Sequence, residues 1–334
     1  MASYKSASYQ QDVINHIVEA EEVYLYGPGY ENYNISDTID DIIVKSSFEP
    51  DVIILGHAWL SDKDGDDRDP HPSLQLNKSN IFKVVIFNKE YTNLKHKIKF
   101  VKKNKFNIGF THHHDLSLFK KSKTPFVFWP FAYDSRKFTY HPNSNNIDIG
   151  FSGILQNLNK NASQSDIRAK IMNLFYYSFF DVPINKKNKF KELNIFWNSI
   201  SRSTFGRYLS ILLNKRKYLS DDEYSNLIQN SKIFINTLSP MGLISPRFFE
   251  CMGSGTLVFC ENSKLYNNIF PNDIYVSFNS DLSDFIDKIM FYQNAQKERK
   301  KITKKAYEFV SRKHTWEKRV NDMIYAIKGA MKNV

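Results

Sequence analysis

The chain has only two cysteines among its 334 residues, and both, Cys251 and Cys260, lie in one apolar segment. Such cysteines are more typical of buried thiols than of a disulfide or a metal pair. Long apolar runs are also missing, because no stretch reaches the length that spans a bilayer. The first residues, MASYKSASYQQDV, contain no apolar core of a signal peptide. We therefore expect a cytoplasmic protein in a reducing compartment.

A complete glycine-rich dinucleotide fingerprint is absent as well. Only Gly27-Pro28-Gly29 follows the strand-like residues 23–26, and the G-x-G-x-x-G pattern does not occur there. We expect no nicotinamide or flavin chemistry and no resident cofactor. Hydrophobic residues make up 42% of the chain and aromatic residues 15%, which excludes global disorder. The length of 334 residues suits two domains of ordinary size.

Positive charge is in excess, with 46 Lys and Arg against 35 Asp and Glu and a formal net charge of +11. Such a protein is attracted to anions, which include nucleic acids, lipid surfaces and phosphorylated small molecules. The basic residues are spread along the whole chain, so we do not expect a nucleic-acid partner. A nucleic-acid-binding protein is nevertheless kept as an alternative function.

Helix-like and strand-like patterns alternate in both halves of the chain. Residues 10–20, 36–48, 93–103, 165–179, 282–292, 295–312 and 315–331 have helical spacing, and short apolar runs at 23–26, 51–55, 82–87, 107–111, 125–129, 147–151, 193–197 and 274–278 predict strands. Continuous apolar strands alternating with helices favour doubly wound parallel sheets, hence an α/β fold. The pattern stops between Pro130 and Asn146. We predict a Rossmann-like domain over residues 1–130, a linker over 131–146, a second domain over 147–312 and a helix over 313–334 that returns to the first domain.

The most informative stretch is residues 232–261, KIFINTLSPMGLISPRFFECMGSGTLVFCE. It reads as a strand, a loop, a helix over 246–252, a glycine break and a second strand over 256–259. In parallel sheets ligands lie at the carboxyl ends of the strands, beside helix N-termini. We therefore predict that the loop 239–245 lines a ligand-binding site. The free N–H groups of the helix and Arg247 in its first turn favour an anion such as a diphosphate. Glu250 is one turn further and could accept hydrogen bonds from hydroxyls beside that anion.

The pattern S-P-R-F-F-E-C-M-G-S-G-T-L-V-F at residues 245–259 resembles the donor-binding segment of GT-B-type glycosyltransferases of the group 1 family, in particular its CgeB-like branch. The run FWPFAYDSRKF at 128–138 is similar to the hinge of the same family. The resemblance implies two Rossmann-like domains facing across a cleft. It also implies transfer of a sugar from a uridine or guanosine diphosphate sugar to an acceptor hydroxyl, with retention of configuration and without a metal, in glycan or surface polysaccharide synthesis.

The resemblance also implies roles for individual residues. Glu250 would hold the ribose and Arg247 the diphosphate, while the weaker candidates are Ser245, Ser152 and Gly153 for the diphosphate and Asn236 and Tyr224 near the base. Many members carry an earlier glutamate that touches the donor sugar, and Gly242 stands in its place here. A non-catalytic sugar-nucleotide-binding protein is therefore a further alternative.

Candidates in the N-terminal half follow predicted strands. The family often uses a histidine of this domain near the donor, and His57 competes for that role with the group His112–His114, which contains His112 and His113. A purely structural role is the alternative for either. Glu90 could act as a base if the reaction inverted configuration. Adjacent histidines make a poor metal cage, and the acidic residues 62–69 lack the order of a calcium loop, so we predict no metal site.

Two lysine-rich segments, residues 95–105 and 297–305, also contain apolar residues. Each could lie on an anionic membrane with its lysines at the headgroups, or could be the solvated face of a core-packed helix. Membrane contact at the inner face would suit a lipid-linked or glycan acceptor. The sequence gives no indication of the oligomeric state.

Overall fold

The computed structural model describes residues 9–56, 73–90, 92–141, 146–155, 166–176, 192–201 and 219–332. The chain divides into two compact units, Met1–Phe131 with Trp316–Val334 and Ala132–Thr315. Each unit contains one parallel sheet with helices. The α/β class predicted from the alternating pattern is therefore confirmed.

The elements of the described residues are as follows in chain order. The helices are α1 Tyr9–Ala20, α2 Ile39–Ser46, α3 Leu94–Lys103, α4 Asp166–Tyr176, α5 Asp221–Gln229, α6 Pro246–Ser254, α7 Phe285–Asn294, α8 Gln296–Lys313 and α9 Trp316–Met331. The strands are β1 Val52–Leu55, β2 Phe82–Ile86, β3 Ile108–Thr111, β4 Phe126–Phe128, β5 Ile147–Leu155, β6 Ile195–Ser201, β7 Ser231–Asn236, β8 Leu257–Glu261 and β9 Val276–Phe278. Short 3-10 turns cover Leu76–Lys78, Leu116–Ser122, Pro240–Gly242 and Lys264–Asn268.

The sheet of the first unit has the strand order β1-β2-β3-β4, and all neighbours are parallel. Every residue of β2 is buried. This agrees with its uninterrupted apolar sequence, since a strand covered on both faces needs apolar side chains on both. The last helix, α9, belongs to this unit, and Lys328 in it pairs with Glu21 at 2.7 Å. Because β2 and β3 are parallel neighbours, their carboxyl ends lie side by side and position the residues that follow them.

The strand expected at residues 23–26 is not formed, and this prediction is wrong. These residues have no regular structure, and together with β1 they line a cavity of about 810 Å³. The hydroxyl of Tyr26 donates to Asp37 Oδ2 at 2.5 Å and accepts from the N–H of Asn34 at 2.9 Å. These contacts hold the segment by its side chain. The local strand preference of Val23–Tyr26 is therefore outweighed by tertiary context.

The sheet of the second unit has the order β6-β5-β7-β8-β9, again all parallel. The central strands supply fully buried residues such as Phe151, Ile233 and Phe259 to its core. Helix α5 begins with a capping box, in which Ser220 and Glu223 satisfy each other's backbone N–H groups. Helices α5 and α6 flank the carboxyl side of β7, where the predicted ligand-binding loop 239–245 lies.

Part of the predicted linker packs firmly inside the second unit. Tyr133 is 1% exposed, and its N–H donates to the carbonyl of His314 at 3.1 Å. A Cβ on Gly253 would lie 2.3 Å from the ring of Tyr133, so glycine is required there for the two segments to approach. The start of this segment is therefore an anchored part of the second unit.

The two lysine-rich helices turn their apolar residues inward. In α3 Phe100 is 7% and Val101 0% exposed, and in α8 Ala306 is 1% and Val310 0% exposed. Most of the lysines lie on the opposite, solvated faces because of the helical period. Of the two alternatives, the buried apolar residues support the solvated face of a core-packed helix for both segments, so only the charge of these helices could attract a lipid surface. No helix in the described part of the chain is apolar over enough residues to cross a bilayer.

Candidate functional site

The N-terminus of α6 presents polar groups that lack partners. Ser245 is the N-cap, yet its side chain makes no capping hydrogen bond, and Pro246 occupies the first turn. Within the described residues, Ser245 Oγ and Arg247 Nε are buried atoms without a hydrogen-bond partner. Buried polar groups normally have partners, so such groups at a functional edge of a sheet indicate a place for a ligand. The positive end of the helix dipole lies at the same N-terminus and favours an anion.

The side chain of Arg247 lies against the carboxyl half of β5. A Cβ on Gly153 would lie 3.3 Å from Arg247 Nη2 and 3.4 Å from Nη1. The guanidinium carbon also lies 5.8 Å from the centroid of the Phe151 ring, a cation–π distance. The structure thus brings Gly153 and Arg247, which are distant in sequence, into one site. The glycine leaves the guanidinium room at the end of β5.

Tyr224 and Glu250 form the neighbouring part of this site. The Tyr224 hydroxyl donates to Glu250 Oε2 at 2.7 Å, and Glu250 is 7% exposed. Burial lowers the pKa of Arg247, but the adjacent Tyr224 and Glu250 outweigh burial and the pKa is raised. Burial, and then the charge of Glu250, raise the pKa of Tyr224 well above its ordinary value. The arginine is therefore firmly cationic, and Tyr224 is a neutral donor that orients the glutamate.

The remaining donor-side candidates lie further from this centre. Ser152 is half-buried on β5 beside Asn198 of β6. Asn236 is fully buried, and its amide nitrogen donates to Cys251 Sγ at 3.6 Å. It thus lies beneath α6 rather than in an open position beside a base. Cys251 and Cys260 are free, buried thiols, and burial raises the pKa of both, which confirms the prediction of buried thiols.

The backbone conformation at position 242 explains why this residue is a glycine. Its φ of 77° lies in the left-handed region, and a Cβ would approach Leu265 Cδ1 to 2.4 Å. Met241 before it also has a left-handed φ of 61° and is 42% exposed. A glutamate at position 242 would be strained in this loop. The donor-sugar carboxylate of the family therefore has no counterpart at this position.

A second polar cluster lies in the first unit, at the carboxyl ends of β2 and β3. Glu90 is 0% exposed, and its Oε1 accepts from Thr111 Oγ1 at 2.6 Å and from the N–H of His112 at 3.0 Å. Glu90 Oε2 is buried and has no hydrogen-bond partner in the described part of the chain. Nearby, the ammonium of the buried Lys97 donates to the carbonyl of Asn88 at 2.7 Å. Glu90 thus holds the end of β3 in place.

The ring of His112 is neutral and oriented. Its Nδ1 lies 2.7 Å from the carbonyl of Trp129, and because a carbonyl only accepts, Nδ1 carries the proton. The ring stacks on Phe131 at 3.7 Å, and burial lowers the pKa of His112 to about 4. The Nε2 atom is therefore an acceptor at neutral pH. His113 differs, because its Nδ1 accepts from the N–H of Asp115 at 3.0 Å.

Two of the sequence predictions cannot be placed. His57 and the acidic residues 62–69 lie outside the described residues. Among those that are described, no three His, Cys, Asp or Glu side chains are grouped as metal ligands would be.

Four polar residues of the second unit were not predicted from the sequence: Arg168, Thr237, Glu261 and Tyr266. Arg168 Nε donates to Thr237 Oγ1, and Glu261 is bonded to Tyr266 and to the backbone of Leu238. All four lie at the carboxyl side of β7 and β8. Glu261 and Thr237 could have been found, since each is a polar residue at the end of a buried apolar strand.

Comparison with known proteins agrees with this architecture. Residues 193–325, which include β6 to α8 and part of α9, match the family model described as "Glycosyl transferase-like". The match confirms the expected glycosyltransferase character of this segment. The CgeB-like branch stays a prediction. No curated protein sequence matches the chain.

Solved structures with a similar fold share little sequence identity with this chain. A glycosyltransferase from Rickettsia africae ESF-5 shares 13% identity over 96% of this chain and 88% of its own, with a TM-score of 0.56. TarM shares 12% identity over 83% of this chain and 54% of its own, with a TM-score of 0.53. HepE of Anabaena, solved with UDP and glucose, shares 9% identity over 74% of this chain and 71% of its own, with a TM-score of 0.50. The chain thus spans about half the length of TarM, and its fold is that of the GT-B glycosyltransferases.

Proposed function

We propose that the protein is a glycosyltransferase that moves a sugar from a nucleoside diphosphate sugar to an acceptor hydroxyl. The observation that carries the proposal is the pair of unpartnered groups, Ser245 Oγ and Arg247 Nε, at the N-terminus of α6. They lie with a cationic guanidinium beside Gly153, at the carboxyl edge of a parallel sheet. A diphosphate supplies the negative charge and the acceptor oxygens that such groups lack. The family match over residues 193–325 supports the same activity.

Glu250 is proposed to bind the ribose. One of its oxygens already accepts from Tyr224, and a carboxylate oxygen has a second lone pair for a ribose hydroxyl. Tyr224 then acts as a positioning residue, because its hydroxyl fixes the carboxylate. A uridine diphosphate sugar is the first donor to test, since the similar HepE structure contains UDP and glucose.

The proposed reaction breaks the bond between the anomeric carbon and the diphosphate oxygen. The electron pair stays with the departing diphosphate, and the acceptor oxygen bonds the anomeric carbon while its proton passes to an oxygen of that diphosphate. Arg247 and the N-terminus of α6 would stabilise the growing negative charge in place of a metal ion. Retention of configuration is part of the proposal and follows from the resemblance of the donor segment.

The cluster in the first unit is proposed to serve the acceptor or the donor sugar. His112 is the candidate that the resemblance supplies, and burial keeps its ring neutral at neutral pH. Glu90 is fully buried and already holds Thr111 and the backbone of His112. Its position favours orientation of the histidine over direct action as a base.

A panel of uridine and guanosine diphosphate sugars tests the proposal. Isothermal titration of the nucleoside diphosphates should show binding, and Glu250→Ala should abolish it, while the exposed Glu317→Ala should bind as the wild type does. Release of nucleoside diphosphate in the presence of an acceptor should persist in EDTA. The product's anomeric proton, read by NMR, should show the donor's configuration. A folded protein that binds no nucleoside diphosphate would overturn the proposal, and binding without turnover would favour a sugar-nucleotide-binding protein.

The acceptor is proposed to be a glycan or a lipid-linked sugar, with peripheral contact to an anionic membrane through exposed lysines such as Lys300, Lys301 and Lys304 of α8. The apolar residues of this helix face the core, so the contact would be electrostatic only. The Debye length falls from about 10 Å at 0.1 M salt to about 3 Å at 1 M. The protein should therefore sediment with anionic vesicles at low salt and be released at 1 M. Absence from the pellet at low salt would reject the membrane contact.

A further inference from the structure

Glu261 is a buried carboxylate at the edge of the sheet where the donor site lies. It is the last residue of β8, and its side chain is 7% exposed. The register places Cys260 beside Asn236 of β7, so Glu261 comes level with the first residues of the loop that leads to α6. A charged residue is buried only at a high cost unless it is hydrogen-bonded, so its partners indicate what it does.

Both carboxylate oxygens have partners. Oε1 accepts from the N–H of Leu238 at 2.7 Å, and Oε2 accepts from the hydroxyl of Tyr266 at 3.1 Å. Burial raises the pKa of Glu261, while the Leu238 N–H, the Tyr266 hydroxyl and the charge of Arg168 act in the opposite direction. The carboxylate thus joins the loop after β7 to the turn after β8.

The loop that begins at Leu238 has its own internal order. The N–H of Ser239 donates to the carbonyl of Leu243 at 2.8 Å, and the N–H of Gly242 donates to the carbonyl of Ser239 at 3.1 Å. Gly242 also packs against Leu265, the neighbour of Tyr266. The turn Lys264–Asn268 therefore contacts this loop at Gly242, and Glu261 holds the loop at its start through Leu238.

Arg168 approaches the same place from another element. It lies in the first turn of α4, is 6% exposed, and its Nε donates to Thr237 Oγ1. Thr237 and Leu238 are consecutive, so the first two loop residues are held by a cation and an anion respectively. The same loop ends at Ser245, the N-cap of α6.

We infer that Glu261 is a positioning residue for the anion-binding end of α6. It does not touch the substrate. It holds Leu238, and with Arg168 it fixes the path of the loop that places Ser245 and Arg247. This inference rests on the proposed function, since it names a residue on which diphosphate binding depends. If Glu261 had only a structural role, its replacement would lower the stability of the protein, or would weaken the binding of the nucleoside and of the diphosphate equally.

Binding of a nucleoside and of its diphosphate separates the two roles. Glu261→Ala should weaken binding of UDP by at least about tenfold, while binding of uridine, which lacks phosphates, changes less than about twofold. Glu261→Gln should stay within about threefold of the wild type for UDP, because its amide oxygen can still accept from Leu238. Tyr266→Phe, which leaves the Leu238 contact intact, should resemble Glu261→Gln. An equal loss for uridine and UDP, or no loss of UDP affinity in Glu261→Ala, would overturn the inference.

Hydrogen exchange tests the same inference without a nucleotide. The amides of residues 238–243 should exchange faster in Glu261→Ala than in Glu261→Gln or the wild type, and equal rates would overturn it. If Glu261→Ala does not fold, a Glu261→Asp variant replaces it, because the shorter side chain cannot reach both Leu238 and Tyr266. A wild-type protein that binds no nucleotide would refute the proposed function, while the exchange rates would still decide the role of Glu261.

Discussion

The hydroxyl of Tyr224 donates to Oε2 of Glu250 at 2.7 Å, and this bond joins the first turn of α5 to the middle of α6. Glu250 faces Arg247 on the same side of its helix, so the tyrosine also fixes the charge next to the arginine. The relationship gives the glutamate one orientation before any ligand arrives. Preorganisation of this kind lowers the cost of binding.

Tyr224→Phe tests this orientation. The variant loses a hydrogen bond to a charged acceptor, a contact that contributes about 1.5–3 kcal/mol. We expect affinity for a nucleoside diphosphate to fall roughly tenfold, which corresponds to about 1.4 kcal/mol. Calorimetric titration measures this change. Tyr325→Phe is the matched control, because Tyr325 is 83% exposed, and it should bind as the wild type does. Unchanged affinity in Tyr224→Phe would show that Glu250 needs no such support.

Arg247→Lys tests the shape of the cation rather than its charge. Lysine keeps the positive charge but lacks the planar fork of donors that matches two phosphate oxygens. The charge on the diphosphate grows as the sugar leaves, so turnover should fall more than binding. We expect kcat to fall by about 10²-fold, as for loss of one oriented donor, and the Kd for the donor to rise less. Steady-state kinetics give kcat, and a direct binding measurement gives Kd. A rise in Kd with an unchanged kcat would assign Arg247 to ground-state binding alone.

His112 should make stability depend on pH. Its folded pKa is about 4 and its ordinary value is 6.5. Above pH 6.5 the ring is neutral in both states. As the pH falls from 6.5 towards 4, the unfolded chain takes up the proton first, so the free energy of unfolding decreases, by about 3 kcal/mol over the full interval. Urea unfolding of the wild type and of His112→Asn at pH 7 and pH 5 measures this. The wild type should lose more stability than the variant, and parallel losses would contradict a neutral buried ring.

Much of the second unit follows from local sequence. The helix at Pro246, the glycine at position 255 that ends it, and the capping box at Ser220 are short-range patterns, and each is present in the structure. The contact of Arg247 with Gly153 could only be expected in outline, from the rule that strand ends and helix starts meet. The bond of Arg168 to Thr237 joins residues 69 positions apart, and no spacing in the sequence encodes it.

The first unit shows where local preference misleads. Val23–Tyr26 has strand-forming residues, yet it forms no strand in the described part of the chain, where the tyrosine hydroxyl is bonded to the loop that follows. The lysine-rich helices show the same limit. Apolar residues among lysines in α8 were compatible with a membrane face or a core face, and only packing separates these alternatives.

The substitution Gly242→Glu tests why this chain lacks the glutamate that contacts the donor sugar in many members of the resembled family. Gly242→Glu would restore the residue type that many members of the resembled family carry, but its φ of 77° strains any side chain and its Cβ would meet Leu265 at 2.4 Å. We expect the free energy of unfolding to fall by about 1–3 kcal/mol. Gly329→Ala is the matched control, because nothing lies within 4 Å of its added Cβ and it is in a helix, so stability should rise by about 0.5–1 kcal/mol. Urea titration of both variants measures these changes. A Gly242→Glu protein as stable as the wild type would mean that the loop can adopt another backbone, and that glycine at this position is not required by the fold.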